Sequence, residues 1–346
     1  MKRAVVICPG RGTYNKTELG YLNKYFPDKA LLQRFDGLRK VAGQESISEL
    51  DADPRFSIAR HGRGDNASAL IYASTLGDFQ CIDTDAIEVV AVTGNSMGWY
   101  SALACAGALS AENGFTVSNT MGTFMQQALI GGQLVYPHLG DDWQPDPENK
   151  ARLLALVDEI NRGEGRELGL SIDLGGMLVL AGNETGLKSF VDSVPVIDGR
   201  FPMQLVNHAA FHTALQGPVA ERGRRVLGEG LFNQPALPLI DGRGCIWWPN
   251  ATNIRSLWDY TLGHQVTQAY DFTRAITVAA REFAPDLFII TGPGTTLGGA
   301  VAQSLIIANW LGLSDKAEFK SVQSRKPLLI SMGNYEQRRT VISKNE

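Results

Sequence analysis

Ser96 is the residue in this chain whose type and spacing point most directly to chemistry. It sits in Gly94-Asn95-Ser96-Met97-Gly98, a G-x-S-x-G pattern, between an apolar β-branched run at Val89 to Val92 and an alanine-rich stretch from Tyr100 to Leu109. That order predicts a strand, a sharp turn and a helix. A serine at the apex of such a turn projects clear of the sheet. Glycines two before and two after it let the strand and helix backbones pass without Cβ clashes. The hydroxyl is then a candidate nucleophile. The helix that follows aims its N-terminal N–H groups and the positive end of its dipole at the same point, where an oxyanion forms during acyl transfer. The same pattern also serves as a plain glycine-rich strand-to-helix turn, so the rest of the chain decides between the two.

At 346 residues, 44% of them hydrophobic, the chain can bury one large core and a smaller subdomain, which excludes a disordered or fibrous protein. The net charge of −4 and the scattered basic residues give no electrostatic footprint for nucleic acid or an anionic membrane. The opening basic residues and short apolar run reach Pro9-Gly10 too soon for a signal-peptide core, and no later stretch approaches about eighteen apolar residues. The expectation is a cytoplasmic protein. The four cysteines, Cys8, Cys81, Cys105 and Cys245, lie far apart and without metal-type spacing, so buried reduced thiols and no metal site are expected.

Taken in order, Ala4 to Cys8 reads as a buried strand ending in Pro9-Gly10-Arg11-Gly12-Thr13. This loop exposes backbone N–H groups, but it lacks the lysine of a P-loop and the third glycine of a dinucleotide fingerprint. Residues 17 to 50 and Asn66 to Leu76 carry helical spacing ahead of the Ser96 strand, and Ala111 to Leu129 is a further helix with Gly131-Gly132 past its end. From Gln133 the texture changes. Strand-like runs at Gln133 to Leu139, Leu168 to Ile172, Met177 to Ala181 and Met203 to Val206 alternate with helices at Pro147 to Asn161 and Glu184 to Val191. They suit a small α+β unit of split βαβ type inserted in the larger domain. After Asn207 to Thr213 come an amphipathic helix at Ala214 to Leu227, a helix around Arg274 to Phe283, a strand at Leu287 to Ile290 and a helix from Leu297 to Leu311.

Three pieces stand in the order found in the malonyl-CoA:acyl carrier protein transacylase (acyltransferase) family: Cys8-Pro9-Gly10-Arg11-Gly12, Gly94 to Gly98, and Phe211-His212-Thr213-Ala214-Leu215-Gln216. Gly122-Thr123-Phe124-Met125-Gln126 and Ile290-Thr291-Gly292-Pro293-Gly294 also resemble that family's landmarks, and the resemblance runs from about residue 4 to 312. It implies an α/β fold, a hydrolase-like parallel-sheet core with an inserted ferredoxin-like α+β subdomain. The expected boundaries are 1–131 and 207–316 for the discontinuous core, 132–206 for the small subdomain, and 317–346 for a loosely held C-terminal tail. The resemblance further implies that Ser96 attacks an acyl-CoA thioester and passes the acyl group to the phosphopantetheine thiol of an acyl carrier protein, with no bound cofactor. A serine hydroxyl is a poor nucleophile until a base removes its proton, and His212 matches the family's catalytic position. His208, four residues earlier, is read as structural or pocket-lining. The backbone N–H groups of Arg11 and Met97 take the oxyanion positions by match. The family is commonly monomeric, and no heptads argue otherwise here.

Departures from the pattern bear on the substrate. The family carries glutamine where Arg11 stands, histidine at Asn95, an acidic or similar polar residue at Trp99, and arginine at Met121. That arginine pairs with the malonyl carboxylate. A carboxylate buried beside a thioether without a partner costs about 2–5 kcal/mol, which argues against malonyl. Arg11, Asn95, Trp99, Met121 and His208 are the candidate substrate-binding residues. Either the acyl group is uncarboxylated, in a pocket that Met121 and Trp99 shape, or Arg11 supplies the missing charge from the opposite wall. Asp271 stands near where the family presents a glutamine and orients its histidine through a backbone carbonyl. It could complete a Ser96-His212-Asp271 triad, pair with Arg11, or cap a helix. An acyl-thioester hydrolase and a non-catalytic, synthase-associated binding protein are the alternatives on the same residues. An ordinary α/β-hydrolase is disfavoured, because its acid precedes its histidine in the chain.

Overall fold

Two sheets organise the computed structural model, which describes residues 1–343. β1 (Lys2–Cys8) opens the chain, α1 (Lys29–Val41) and α2 (Gly64–Gln80) lead to β2 (Ile87–Gly94), and α3 (Gly98–Cys105) and α4 (Ala111–Ala128) follow. A second unit runs β3 (Gly132–Pro137), α5 (Pro147–Asn161), β4 (Leu168–Leu174), β5 (Met177–Gly182), α6 (Glu184–Ser193) and β6 (Met203–Gln204). The chain returns through α7 (Gly217–Val226), β7 (Leu239–Ile240), β8 (Ile246–Trp247), β9 (Tyr270–Asp271) and α8 (Phe272–Phe283). It ends with β10 (Leu287–Ile290), α9 (Leu297–Ile307), α10 (Lys316–Arg325), β11 (Leu329–Ser331) and a last helical turn, Tyr335–Arg338.

The large sheet has the order β11-β10-β1-β2-β7-β8 and is parallel except for the β7–β8 pair. Its central strand is continuously apolar because a parallel sheet is covered on both faces, and every residue from Ala4 to Cys8 is buried. Cys8 pairs in register with Gly94, so β1 and β2 end level and their following loops lie side by side at the carboxyl edge. That edge is where open α/β sheets place their sites. The helix after Ser96 is shorter than its alanine content suggested, because Gly107 turns the chain with φ +77° just past Ala106. Likewise the stretch Ala214 to Leu227 is a 3-10 turn, Ala214–Gln216, followed by α7, with Pro218 in the first turn of the α-helix.

The smaller sheet has the order β6-β3-β5-β4-β9. Its first four strands are antiparallel neighbours, and β9, contributed by the returning chain, joins the edge parallel to β4 with Ile172 opposite Tyr270. Two expectations need correction. The segment expected as a loose tail from residue 317 supplies α10 and the edge strand β11, and Leu328, Leu329, Ile330 and Met332 are buried. Arg338 ion-pairs with Asp78, which also accepts hydrogen bonds from Tyr21 (2.7 Å) and the Gly292 N–H (2.7 Å). The polar residues of this segment form its solvent face, while the few apolar ones dock; residues 344–346 lie outside the described residues. Of the cysteines, Cys245 is exposed, whereas Cys8 and Cys105 are buried with their sulfurs 4.0 Å apart. Among the described residues no helix is long and apolar enough to cross a membrane.

Candidate active site

Ser96 is the first residue beyond β2 whose backbone turns sharply, with φ +55°, a left-handed conformation that a serine adopts only when its surroundings hold it there. The surroundings are tight. A Cβ on Gly98 would lie 2.1 Å from the Cys8 carbonyl oxygen, and one on Gly94 would lie 2.3 Å from the Gly98 carbonyl carbon. Both glycines are therefore required by close backbone approach. The Asn95 N–H donates to the Cys8 carbonyl at 2.9 Å, stitching the two loops together.

His212 comes to Ser96 from the loop after the smaller sheet. Its Nε2 lies 2.7 Å from the Ser96 Oγ and its Nδ1 2.6 Å from the Gln265 carbonyl oxygen. A carbonyl can only accept, so Nδ1 carries the proton and the Nε2 lone pair faces the serine hydroxyl. Burial holds the imidazole well below its ordinary value, at about 4, against the smaller raising effect of the Gln265 bond. At neutral pH it is an unprotonated base. His212 also has a left-handed backbone, φ +58°, and its loop is held from the smaller sheet. Gln133 of β3 donates to Ser171 of β4 at 2.6 Å, and Ser171 donates to the Phe211 carbonyl at 2.8 Å. The Gln133 Oε1 also lies 2.8 Å from His208 Nδ1.

Gln265 is the residue contacting the Ser96–His212 pair that sequence reasoning missed. It follows a π-helical turn, Tyr260–His264, a local insertion that re-aims the next backbone carbonyl and leaves no period to read in the sequence. Beyond its carbonyl, its side-chain amide donates to the Ser96 carbonyl at 3.0 Å and its Oε1 accepts from Tyr100 at 3.2 Å. Gln265 thus touches both members of the pair. Asp271 does not. Its carboxylate caps α8 by accepting the Arg274 N–H at 2.7 Å, so of its three expected roles the structure gives it the helix cap, in contact with neither His212 nor Arg11. The chain from 265 to 271 is long enough to separate the histidine's partner from the nearest acid.

The pocket at the Ser96–His212 pair is a small cavity of about 20 Å³, walled by Arg11, Met97, Ser68, Tyr100, Gly122, Met125, Phe211, Gln265 and Val266. Arg11 and Met97 both line the pocket. Neither of their backbone N–H groups donates to a protein acceptor among the described residues. The Arg11 guanidinium donates to the Gly62 and Asn207 carbonyls, each at 3.0 Å, and lies 5.5 Å from the Phe211 ring centre. Burial lowers it to about 10, with Asp65 opposing, which leaves it cationic at neutral pH.

The other four candidates do not line the pocket. Trp99 is fully buried, donating to Thr261 Oγ1 at 3.0 Å and edge-on to Tyr260. Met121 is fully buried with its thioether against Gly223 of α7, where a Cβ would come within 2.7 Å of the sulfur. Asn95 is taken up in the turn. His208 pairs with Gln133, and burial, with the Arg11 charge adding, holds it down at about 3. For Trp99 and Met121 helix phase directs the side chain away, which local sequence does not specify. Ser68, Tyr100, Met125 and Val266 enter the pocket by the same phase.

No protein-family model matches the chain. In sequence it is similar to the malonyl CoA-acyl carrier protein transacylase of Haemophilus influenzae, 24% identical over 330 residues, 93% of this chain and 99% of that one. In fold it is similar to the Synechocystis malonyl-CoA:ACP transacylase, with a TM-score of 0.72 at 17% identity over 99% of this chain and 100% of that one. A malonyl-transacylase solved in complex with its type II PKS acyl-carrier protein matches with a TM-score of 0.74 at 16% identity, over 100% of both chains. The chain is thus similar along nearly its whole sequence to malonyl CoA-acyl carrier protein transacylases and shares the fold of their solved structures.

Proposed function

We propose that this protein transfers an acyl group from CoA to the phosphopantetheine thiol of an acyl carrier protein through an ester on Ser96. The observation that carries the reading is the 2.7 Å contact between Ser96 Oγ and an imidazole whose other nitrogen is fixed by a carbonyl. In the first half-reaction the Ser96 oxygen attacks the thioester carbonyl as its proton passes to His212 Nε2. The oxyanion is received by the free N–H groups of Arg11 and Met97, at the N-terminal end of α3. The tetrahedral intermediate collapses, the C–S bond breaks, and the CoA sulfur takes the proton from Nε2. In the second half-reaction the carrier thiol gives its proton to Nε2, its sulfur attacks the Ser96 ester, and the serine oxygen leaves and recovers the proton. The chemistry suits a base this weak. A thiolate is a good leaving group and needs little protonation, so a carbonyl partner for His212 suffices where a carboxylate would serve an amine leaving group.

The test is intact-protein mass measurement after brief incubation with acyl-CoA thioesters, with and without a holo acyl carrier protein. The expected result is a one-acyl adduct, absent in Ser96→Ala and slowed by at least about a thousandfold in His212→Ala, that moves to the carrier when it is added. Loss of the adduct to water faster than to the carrier would make the protein a thioester hydrolase. No adduct with any thioester would leave the non-catalytic alternative.

A further inference from the structure

We infer that the cavity beside Ser96 selects a short uncarboxylated acyl group, acetyl ahead of any longer chain, and that Met125 sets the length limit. The inference rests on the acyl-transfer reading and names its substrate class. Size is the first ground. The cavity measures about 20 Å³, where a single water takes about 10–15 Å³, so beyond a reacting carbonyl there is room for about one group of methyl size. One side of it cannot deepen. Gly122 of α4 and Ser68 of α2 line the cavity where the two helices meet closely, and a Cβ on Gly122 would lie 2.6 Å from the Gly64 carbonyl oxygen and 2.7 Å from Ser68 Oγ. The Gly64 N–H donates to Gln126 Oε1 at 2.6 Å, which ties the same helices together. Met125, one turn further along α4, is half-buried, and its flexible, unbranched side chain is the wall that a substitution can shorten without moving main chain.

Charge is the second ground. Met125, Phe211 and Val266 are apolar walls, and the Tyr100 hydroxyl is already committed to Gln265 Oε1 at 3.2 Å. Arg11, the one charged residue of the lining, is tied down by the protein itself. Its Nη2 donates to the Gly62 and Asn207 carbonyls at 3.0 Å each, its guanidinium lies 5.5 Å from the Phe211 ring centre, and its Nε is buried. A carboxylate entering here would shed its water against apolar side chains, and drawing Arg11 toward it would break two main-chain hydrogen bonds. A methyl group incurs neither cost.

The experiment compares Ser96 acylation rates with acetyl-, butyryl-, hexanoyl- and malonyl-CoA, by intact mass, in the wild type and Met125→Ala. Ratios between thioesters are read within each variant, so a smaller folded fraction does not alter them. In the wild type acetyl should react at least about tenfold faster than malonyl and at least about tenfold faster than hexanoyl, since one extra methylene in a filled pocket is worth about 10–200-fold. Met125→Ala should raise the butyryl-to-acetyl ratio by about tenfold and leave the malonyl-to-acetyl ratio low. Malonyl or hexanoyl reacting as fast as acetyl in the wild type, or a butyryl-to-acetyl ratio unmoved in Met125→Ala, would overturn the inference and leave the proposed function standing. No adduct from any of the four thioesters would remove both readings.

Discussion

The imidazole of the Ser96–His212 pair leans on a main-chain carbonyl, and burial without a carboxylate partner sets how it responds to pH. In the proposed mechanism His212 acts when neutral, and burial lowers it to about 4. The acylation rate should hold steady from neutral pH down to about pH 5 and fall only as the imidazole takes a proton near pH 4. An ordinary imidazole would begin to lose activity near pH 6.5, and one paired with a carboxylate higher still, because that partner favours the charged form. A pH–rate profile of Ser96 acylation reads the limb directly. The same geometry makes Asp271 dispensable to the chemistry. Asp271→Ala should leave acylation within about threefold of wild type while lowering unfolding stability by about 1 kcal/mol through loss of the α8 cap, checked by rate and by denaturant titration.

At the scale of elements, the elbow works because two strands end level and two backbones nearly touch. Gly98→Ala would drive a methyl group to 2.1 Å from the Cys8 carbonyl oxygen. The neighbour there is main chain and cannot rotate aside, so the strand or the helix must move. A cost of about 1–3 kcal/mol is expected from such overpacking, with acylation falling further than stability because Cys8 and Arg11 share the displaced loop. Thermal unfolding and acylation rate measured on the same sample separate the two effects. The smaller sheet is the other positioning element. Its Gln133 and Ser171 hold the main chain that carries His212, so it positions that loop without lining the pocket.

Over the whole molecule, the C-terminal segment adds an edge strand to the large sheet and locks onto α2. Burial pushes the Asp78 carboxyl up, and the Arg338 guanidinium pulls it back toward the charged form. Removing only the cation leaves an uncompensated buried charge. Arg338→Met should therefore cost about 3–5 kcal/mol, and Asp78→Asn in the same chain should recover part of it, as a double-mutant cycle in denaturant would show. The Ser96–His212 contact should persist in both, since the lock lies among α2, the Gly292 turn and the last helical turn.

The sequence by itself determined the elbow and the serine at its apex, because G-x-S-x-G between an apolar run and an alanine-rich stretch is a local instruction: close backbone approach tolerates only glycine there. It also determined the alternation of the core elements and the six elements of the inserted unit, whose periods are short-range. His212, Arg11 and Met97 were legible through motif order. What only the tertiary structure decided is which way the side chains around them point. Met121 and Trp99 turn into the core and Met125 and Tyr100 into the pocket because helix packing fixes the phase. Gln265 displaces Asp271 as the histidine's partner because a π-helical turn re-aims one carbonyl. The last polar segment becomes sheet edge because a handful of apolar residues find an open strand to cover. Each of these rests on contacts between residues far apart in the chain, which no window of sequence contains.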